Sequence, residues 1–306
     1  MDRPVIALDA MGGDHAPDAV VAGALRAIDE HGVRVVLVGR PEAIEASLRA
    51  CGRAGAIDVA PAADVIAMDE EPALALRAKP DASVRVAAGL VASGRAQAMV
   101  SAGSTGATMA AGLFALGRAD GVRRPAVGAL LPFGSPGTVL VDAGATADVT
   151  AEQLLGHARM GIAYAQALGV AAPRVALLNI GAEPGKGNAL AREAQDVLAA
   201  GLGRAFTGNV EPDAVVAGAA DVVVTDGFTG NVFLKTVEAL AALDARDGQG
   251  GAHGGAAVLL GVKGNVLVAH GAARAAEIAA ALRMAERVAA DGLAERVATA
   301  MAEGTA

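Results

Sequence analysis

The chain has 306 residues, 54% hydrophobic and 19% charged, which excludes a disordered polypeptide and provides for a large core. A net charge of −8 gives no overall attraction for nucleic acid, and one cysteine, Cys51, excludes an intrachain disulfide framework and argues against a thiolate metal cage. No secretory-signal pattern and no uninterrupted apolar stretch of roughly 18 residues is present, so a cytoplasmic location is expected. With 2% aromatics and 40 glycines, the core must be built from Val, Leu, Ile and Ala.

In chain order, Val5 to Leu8 is predicted as a buried strand. The turn Asp9-Ala10-Met11-Gly12-Gly13-Asp14-His15-Ala16-Pro17 follows it. An amphipathic helix is expected from Asp18, with Val20, Val21, Ala24, Leu25 and Ile28 at helical spacing and Pro17 suited to the first helical position. Val33 to Val38 reads as a strand and Pro41 to Cys51 as a helix. Gln97 to Ser101 is a strand followed by a helix from Thr105 to Leu116. Val127 to Leu131 and Val139 to Asp142 read as adjacent strands joined by a Pro- and Gly-rich turn. A helix from Thr150 to Leu168, a strand from Val175 to Ile180 and a helix from Asn188 to Ala200 come next. Val222 to Asp226 is a strand, Thr229 to Leu243 a helix, and Val266 to Ala269 the last strand, with helices from Ala272 towards Met301. Asp244 to Gly255 reads as a flexible surface linker. The alternation predicts an α/β fold: a largely parallel sheet with helices on both faces, as one large domain or two lobes.

Five strand-to-helix junctions concentrate polar residues. Asp9 opens the first. The second is Ser101-Ala102-Gly103-Ser104-Thr105-Gly106. The third runs from Gly181 through Lys186, Gly187 and Asn188. The fourth is Asp226-Gly227-Phe228-Thr229-Gly230-Asn231, and the fifth is His270-Gly271. In an open parallel sheet a ligand crevice lies beyond the carboxyl ends of the strands, so these junctions are expected to face one cleft.

Spacing excludes several chemistries. No G-x-G-x-x-G follows the first strand, and Lys186 lacks both the spacing and the following Ser or Thr of a nucleotide P-loop. His15, His31, His157, His253 and His270 form no H-x-x-x-H pair, and no G-x-S-x-G elbow occurs. Cys51 reads as a small buried or incidental thiol rather than a nucleophile. What remains is an oxyanion site without an evident covalent nucleophile, calling for neither cofactor nor metal. Helix-start N–H groups, one Lys, one or two His, and Asn or Ser side chains are the set that holds inorganic phosphate.

These motifs resemble the bacterial phosphate acyltransferases of the PlsX family. The resemblance rests on Asp9 to Pro17, Ser101 to Ala107, Leu177 to Gly181, Lys186 to Asn188, Gly208-Asn209-Val210-Glu211, Thr225 to Val232, Lys235 and Ala269-His270-Gly271, in family order along the chain. It implies an enzyme that passes a fatty acyl group from acyl carrier protein to inorganic phosphate, making acyl phosphate for phospholipid synthesis. It also implies a three-layer α/β/α sandwich similar to phosphate acetyltransferases and isocitrate or isopropylmalate dehydrogenases, as a homodimer. Ser104 stands where the family commonly has Asn, and Thr146 likewise. The segment between Lys235 and Gly254 is shorter than usual. The family's helical hairpin there, tied to the dimer surface and to peripheral membrane contact, is reduced to one helix end and the linker.

On this resemblance phosphate is expected among the helix starts after Asp9, Ser101 and Asp226, near Gly12, Gly13, Gly103, Gly106, Phe228, Thr229 and Gly230. Lys186 neutralises charge, and Asn188, Asn231, Ser104 and Thr105 donate hydrogen bonds. Two roles are open to His15, orienting phosphate and taking its proton, or fixing the turn. Two are open to His270, protonating the departing thiolate or capping the last strand. Asp9, Asp14 and Asp226 orient donors or cap helices, because a carboxylate facing phosphate repels it. Asn209, Glu211 and Lys235 support these contacts, and Arg123 with Arg124 either meet the acidic carrier protein or are solvated. Other readings on the same fold are a small-acyl coenzyme A phosphotransferase, a decarboxylating dehydrogenase and a scaffold without activity.

Overall fold

The computed structural model describes residues 3–246 and 256–303. Its elements in chain order begin β1 (Val5–Asp9), α1 (Asp18–His31), β2 (Arg34–Gly39), α2 (Pro41–Ala50), β3 (Asp58–Pro61), α3 (Pro72–Ala78), α4 (Ser83–Ala92), β4 (Ala98–Ser101) and α5 (Thr105–Leu116). Then come β5 (Ala126–Leu131), β6 (Thr138–Val141), α6 (Ala151–Ala167), β7 (Val175–Leu178), α7 (Ala189–Leu202), β8 (Phe206–Val210), α8 (Pro212–Val216) and β9 (Val222–Val224). The last are α9 (Gly227–Arg246), β10 (Ala257–Leu260), β11 (Asn265–Val268), α10 (Ala275–Ala290) and α11 (Leu293–Glu303).

They form two compact units, Met1–Gly117 with Gly254–Gly292, and Arg118–His253 with Leu293–Ala306. In the first unit the strand order is β3-β2-β1-β4-β11-β10, all parallel except β10, which runs antiparallel to β11. Its inner strands are almost wholly apolar because helices cover both faces. Ala7, Val38, Ala60, Met99 and Val266 join residues of α3, α4 and α5 in one hydrophobic cluster. Ile6 and Leu8, on alternate positions of β1, point to the opposite face. The other helix layer is α1 against α10, which packs on β1, β4 and β11.

The second unit orders its strands β5-β6-β9-β7-β8, with β5 antiparallel to β6 and the rest parallel. Helix α6 packs on β5, β6 and β9 with α7 and α11 beside it, and α9 packs on β5 and β6. A capping box starts α6: Thr150 Oγ1 accepts the Gln153 N–H at 3.3 Å, and Gln153 Oε1 accepts the Thr150 N–H at 2.9 Å.

Four expectations need correction. Pro17 occupies the N-cap of α1 rather than its first helical position, while the helix begins at Asp18 as expected. Strand β7 stops at Leu178, because the Asn179 side chain takes the Ile180 N–H and turns the chain away from the ladder. Helix α9 starts at Gly227, two residues before Thr229, since Asp226 supplies the cap. Asp244 to Arg246 are helical rather than linker, and the remainder of that linker lies outside the described residues. No helix among the described residues is long and apolar enough to cross a membrane.

Candidate active site

The C-terminal ends of β1, β4 and β11 stand in register, Asp9 beside Ser101 and Ser101 beside Val268. Parallel pairing thus brings three of the polar junctions to one edge of the first unit. At its centre lies the buried Asp9 carboxylate. Ser101 Oγ donates to Asp9 Oδ2 at 2.7 Å, the Met11 N–H to Oδ1 at 3.1 Å, and Ser83 and the Gly12 N–H also hydrogen bond to it. Burial pushes the Asp9 carboxyl above the usual carboxylate range, and these four donors pull it partly back. Ser101 Oγ also accepts the Gly103 N–H at 3.1 Å, so one hydroxyl ties both loops together.

Gly12 crosses Gly103 at this point. A Cβ on Gly12 would lie 2.7 Å from the Gly103 nitrogen, 2.8 Å from Asp9 Oδ2 and 2.9 Å from Ser101 Oγ, which explains why no side chain is present. Gly13 has φ +106°. The Asp14 N–H then donates to the Gly271 carbonyl at 2.8 Å, drawing in the junction after β11. Asp14 and His15 are exposed on this loop. His270 is exposed as well, and its Nδ1 accepts the Ala272 N–H at 3.2 Å, which leaves Nε2 to carry the proton of the neutral ring. Ser104 caps α5, its Oγ accepting the Ala107 N–H at 3.4 Å, and the next two residues, Thr105 and Gly106, are exposed in the first turn.

The second unit has a matching edge. Val141, Val224 and Leu177 are in register across β6, β9 and β7, and Leu178 pairs with Val210 of β8. The loops after these strands therefore open on the same side. Asp226 caps α9, Oδ1 accepting the Thr229 N–H at 2.8 Å and Oδ2 the Thr229 hydroxyl at 2.7 Å. Asn231 Nδ2 donates to the Ala143 carbonyl at 3.1 Å. Phe228 is 68% exposed at the start of α9 and Ile180 81% exposed after β7. Lys186 is exposed, 4.0 Å from Glu183 Oε2, and its carbonyl accepts from Asn179 Nδ2 at 3.1 Å. Asn209 Nδ2 donates to the Glu183 carbonyl at 3.0 Å, bracing the same loop. Asn188 caps α7 by accepting the Ala191 N–H at 2.8 Å. Glu211 sits at the N-cap of α8 without a side-chain cap bond, and Lys235 pairs with Glu238 at 2.8 Å.

The structure thus gathers Asp9, Gly12, Gly13, Asp14, His15, Ser101, Gly103, Ser104, Thr105, Gly106 and His270 in the first unit. Lys186, Asn188, Asn209, Glu211, Asp226, Phe228, Thr229, Gly230 and Asn231 belong to the second, with Lys235 two turns along α9. Among the described residues, no group of three or more His, Cys, Asp and Glu is arranged to hold a metal ion.

The family described as "Fatty acid synthesis protein" matches residues 5–244. A phosphate acyltransferase of Heliobacterium modesticaldum is 47% identical over 308 residues, covering 91% of this chain and 92% of its own length. One from Thermus thermophilus is also 47% identical, covering 90% of this chain and 92% of its own. The chain belongs to the phosphate acyltransferase family. It is accordingly an acyltransferase. In fold it resembles a phosphotransacetylase from Streptococcus pyogenes, with TM-score 0.66, 21% identity and 94% of each chain covered. A 4-hydroxythreonine-4-phosphate dehydrogenase from Burkholderia phymatum shares the fold at TM-score 0.54, 17% identity and 94% and 99% coverage.

One residue that sequence reasoning left out of the site organises the second unit's edge. Asp142 is 0% exposed. Its Oδ1 accepts the N–H groups of Val127, Gly144 and Ala145 at 2.9, 3.0 and 2.8 Å, and Oδ2 accepts that of Thr146 at 2.8 Å. The turn so formed presses on the first turn of α9. Thr146 accepts the Gly227 N–H at 2.9 Å, a Cβ on Gly227 would lie 2.8 Å from Asp142 Oδ2, and one on Gly230 would overlap the Asp142 carbonyl. Both glycines of the Asp-Gly-Phe-Thr-Gly-Asn motif are there to admit this turn. The signal was an Asp directly before Ala-Gly-Ala, a short acceptor ahead of a chain reversal.

Proposed function

We propose that the chain transfers a fatty acyl group from the thioester of acyl carrier protein to inorganic phosphate, yielding acyl phosphate for phospholipid synthesis. A phosphate oxygen attacks the thioester carbonyl, the C–O bond forms, and the C–S bond breaks to release the carrier's thiolate, which takes up a proton. A thioester is already activated, so holding the reactants and stabilising the tetrahedral oxyanion is the greater part of the work. The observation that carries the reading is the Asp9–Ser101 lock, which pins Gly12 against Gly103 and leaves the exposed α5 start at Thr105 and Gly106 to meet an oxyanion.

The roles divide by unit. In the first, Thr105, Gly106 and the 9–15 turn bind phosphate, His15 takes or orients its proton, and His270, with Nε2 protonated, donates to the leaving sulfur. Asp9 and Asp14 position donors. In the second, Lys186 offers positive charge to an anionic substrate, Asn188 keeps its amide N–H2 for a ligand, and Asp226, Asn209 and Asn231 hold the loops. Phe228 and Ile180 offer apolar surface to an acyl substrate. The protein works in the cytoplasm as a homodimer, and exposed Arg123 and Arg124 suit an acidic carrier protein.

Lys186→Ala is expected to raise the KM of its anionic substrate by roughly 10–100-fold, the loss of one charge-assisted hydrogen bond of about 1.5–3 kcal/mol. Asn231→Ala is expected to cost about 1 kcal/mol of stability through the lost Ala143 bond. Acyl phosphate formation measured with long-chain acyl carrier protein, and separately with acyl coenzyme A, tests the donor. Consumption of the carrier thioester only with phosphate present supports the reading. Turnover of coenzyme A thioesters alone makes this a small-acyl phosphotransferase, and inertness in every mixture removes the activity.

A further inference from the structure

Met68 offers an apolar side chain to water inside the acidic run Asp64-Val65-Ile66-Ala67-Met68-Asp69-Glu70-Glu71. It is 55% exposed, whereas Ile66, two residues earlier, is buried in the hydrophobic cluster shared by α3, α4 and α5. A lone apolar residue on open surface needs no explanation. Met68 is not on open surface, because it abuts the candidate site. A Cβ on Gly271 would lie 2.8 Å from Met68 Cε and 3.7 Å from Asp14 Oδ1, which places the Met68 methyl group beside the junction after β11. Four residues on, Pro72 meets the start of α5: a Cβ on Gly106 would lie 2.8 Å from Pro72 Cγ. The 68–72 stretch thus flanks the site from one junction to the next, and both of its contacts there are apolar. Leu74, in the first turn of α3 and 65% exposed, continues it. The stretch is also braced. Lys79 Nζ donates to the Val65 carbonyl at 2.8 Å and to Glu70, whose Oε1 accepts the Ala67 N–H at 2.7 Å. Glu71 Oε2 accepts the Leu74 N–H at 2.7 Å, and the Asp64 carbonyl accepts the Ser83 N–H at 3.0 Å. A side chain on such a turn stands ready at little further cost in ordering.

We infer that Met68 is a specificity-determining residue that receives the first carbons of the acyl group beyond the thioester carbonyl, with Pro72 and Leu74 carrying the apolar wall onward. The inference rests on the reading that acyl phosphate forms at the α5 start, and it adds a contact in the first unit to Phe228 and Ile180 in the second. A carbonyl held at Thr105 and Gly106 has neighbours of two kinds. Asp14, His15 and His270 are ionisable and exposed, so they keep their water. Met68 and Pro72 are apolar. An alkyl chain leaving the carbonyl is stabilised on their side, each CH2 taken out of water improving affinity about fourfold. Free phosphate gains nothing from such a wall, which is why the acyl group is its occupant. An unbranched thioether suits the task, since it conforms to chains of different length and bend.

The experiment follows wild type, M68S and M68L with hexadecanoyl and acetyl thioesters of acyl carrier protein. M68S is expected to lower kcat/KM for hexadecanoyl transfer about tenfold, the loss of roughly two CH2 contacts, while acetyl transfer and the phosphate KM move by less than about threefold. M68L keeps the apolar volume and recovers most of the loss. Equal losses with both thioesters, or a phosphate KM that rises in step, make Met68 part of the scaffold and overturn the inference, as does an unchanged hexadecanoyl rate. Binding of decanoate, titrated by calorimetry, separates these results from failure of the transfer reading. Wild type is expected to bind it about tenfold more tightly than M68S. Equal affinities, or no binding by either, overturn the role of Met68 whatever the turnover. A wild type that binds decanoate more tightly than M68S yet forms no acyl phosphate from any thioester defeats the transfer reading alone.

Discussion

Asp142→Ala is expected to lower stability by about 3–5 kcal/mol, the range for removing one partner of a buried charged cluster. Four backbone N–H groups, bound at 2.8–3.0 Å, lose their shared acceptor, a carboxylate with no exposed surface. An uncompensated buried donor costs more than its bond contributed, because no water replaces the missing oxygen. Asp142→Asn keeps one acceptor oxygen but sets an amide N–H2 among the donors, so it recovers less than half of the loss. Urea midpoints at constant slope read the difference. A loss below about 1 kcal/mol for the alanine variant means the turn holds itself without the carboxylate.

Gly12→Ala is expected to reduce turnover by about 100-fold with a smaller effect on folding, the scale on which a displacement near 1 Å impairs a positioned reaction. The new methyl group meets the Gly103 nitrogen, Asp9 Oδ2 and Ser101 Oγ together at 2.7–2.9 Å. The nitrogen is backbone, and the two oxygens are buried and locked to each other at 2.7 Å, so none gives way freely. The loops after β1 and β4 must therefore separate, carrying Asp14, His15 and the start of α5 with them. Because Gly12 is not among the glycines with positive φ, lost space rather than backbone strain accounts for the effect. Turnover of the variant within about threefold of wild type would detach this crossing from catalysis.

Much of this was legible from residue patterns. Buried parallel strands read as unbroken apolar runs, and β1, β2 and β4 through β6 emerged within a residue or two; α5 matched at both ends. The hairpin of β5 and β6 followed from its Pro- and Gly-rich turn. Strands β3 and β8 were missed because both lie at sheet edges and mix exposed with buried positions, so neither presents a clean apolar run. Strand β10 was hidden beside a glycine-rich stretch. Helices α3 and α8 have only seven and five residues, and α4 carries Val84, Val86 and Val91, which blur the distinction from a strand. The junction loops were legible because Gly, Ser and Asn stand at strand ends. The capping roles of Ser104, Asn188 and Asp226 follow from the same residue types. The roles of Asp142 and Asn179 were not legible, since each ends an apolar run and reads as a strand end, although its acceptor oxygen organises the turn that follows.

Each unit closes with chain made after part of the other. On the ribosome β4 emerges long before β11, and its flank stays open until residues 265–268 have been added. Helix α6 likewise waits for α11, at residues 293–303. Neither unit can mature while its own first portion is being translated, so the nascent polypeptide carries exposed strand edges through most of its synthesis, the interval in which chaperones act. For the same reason, a protease cut before Arg118 liberates no self-sufficient fragment.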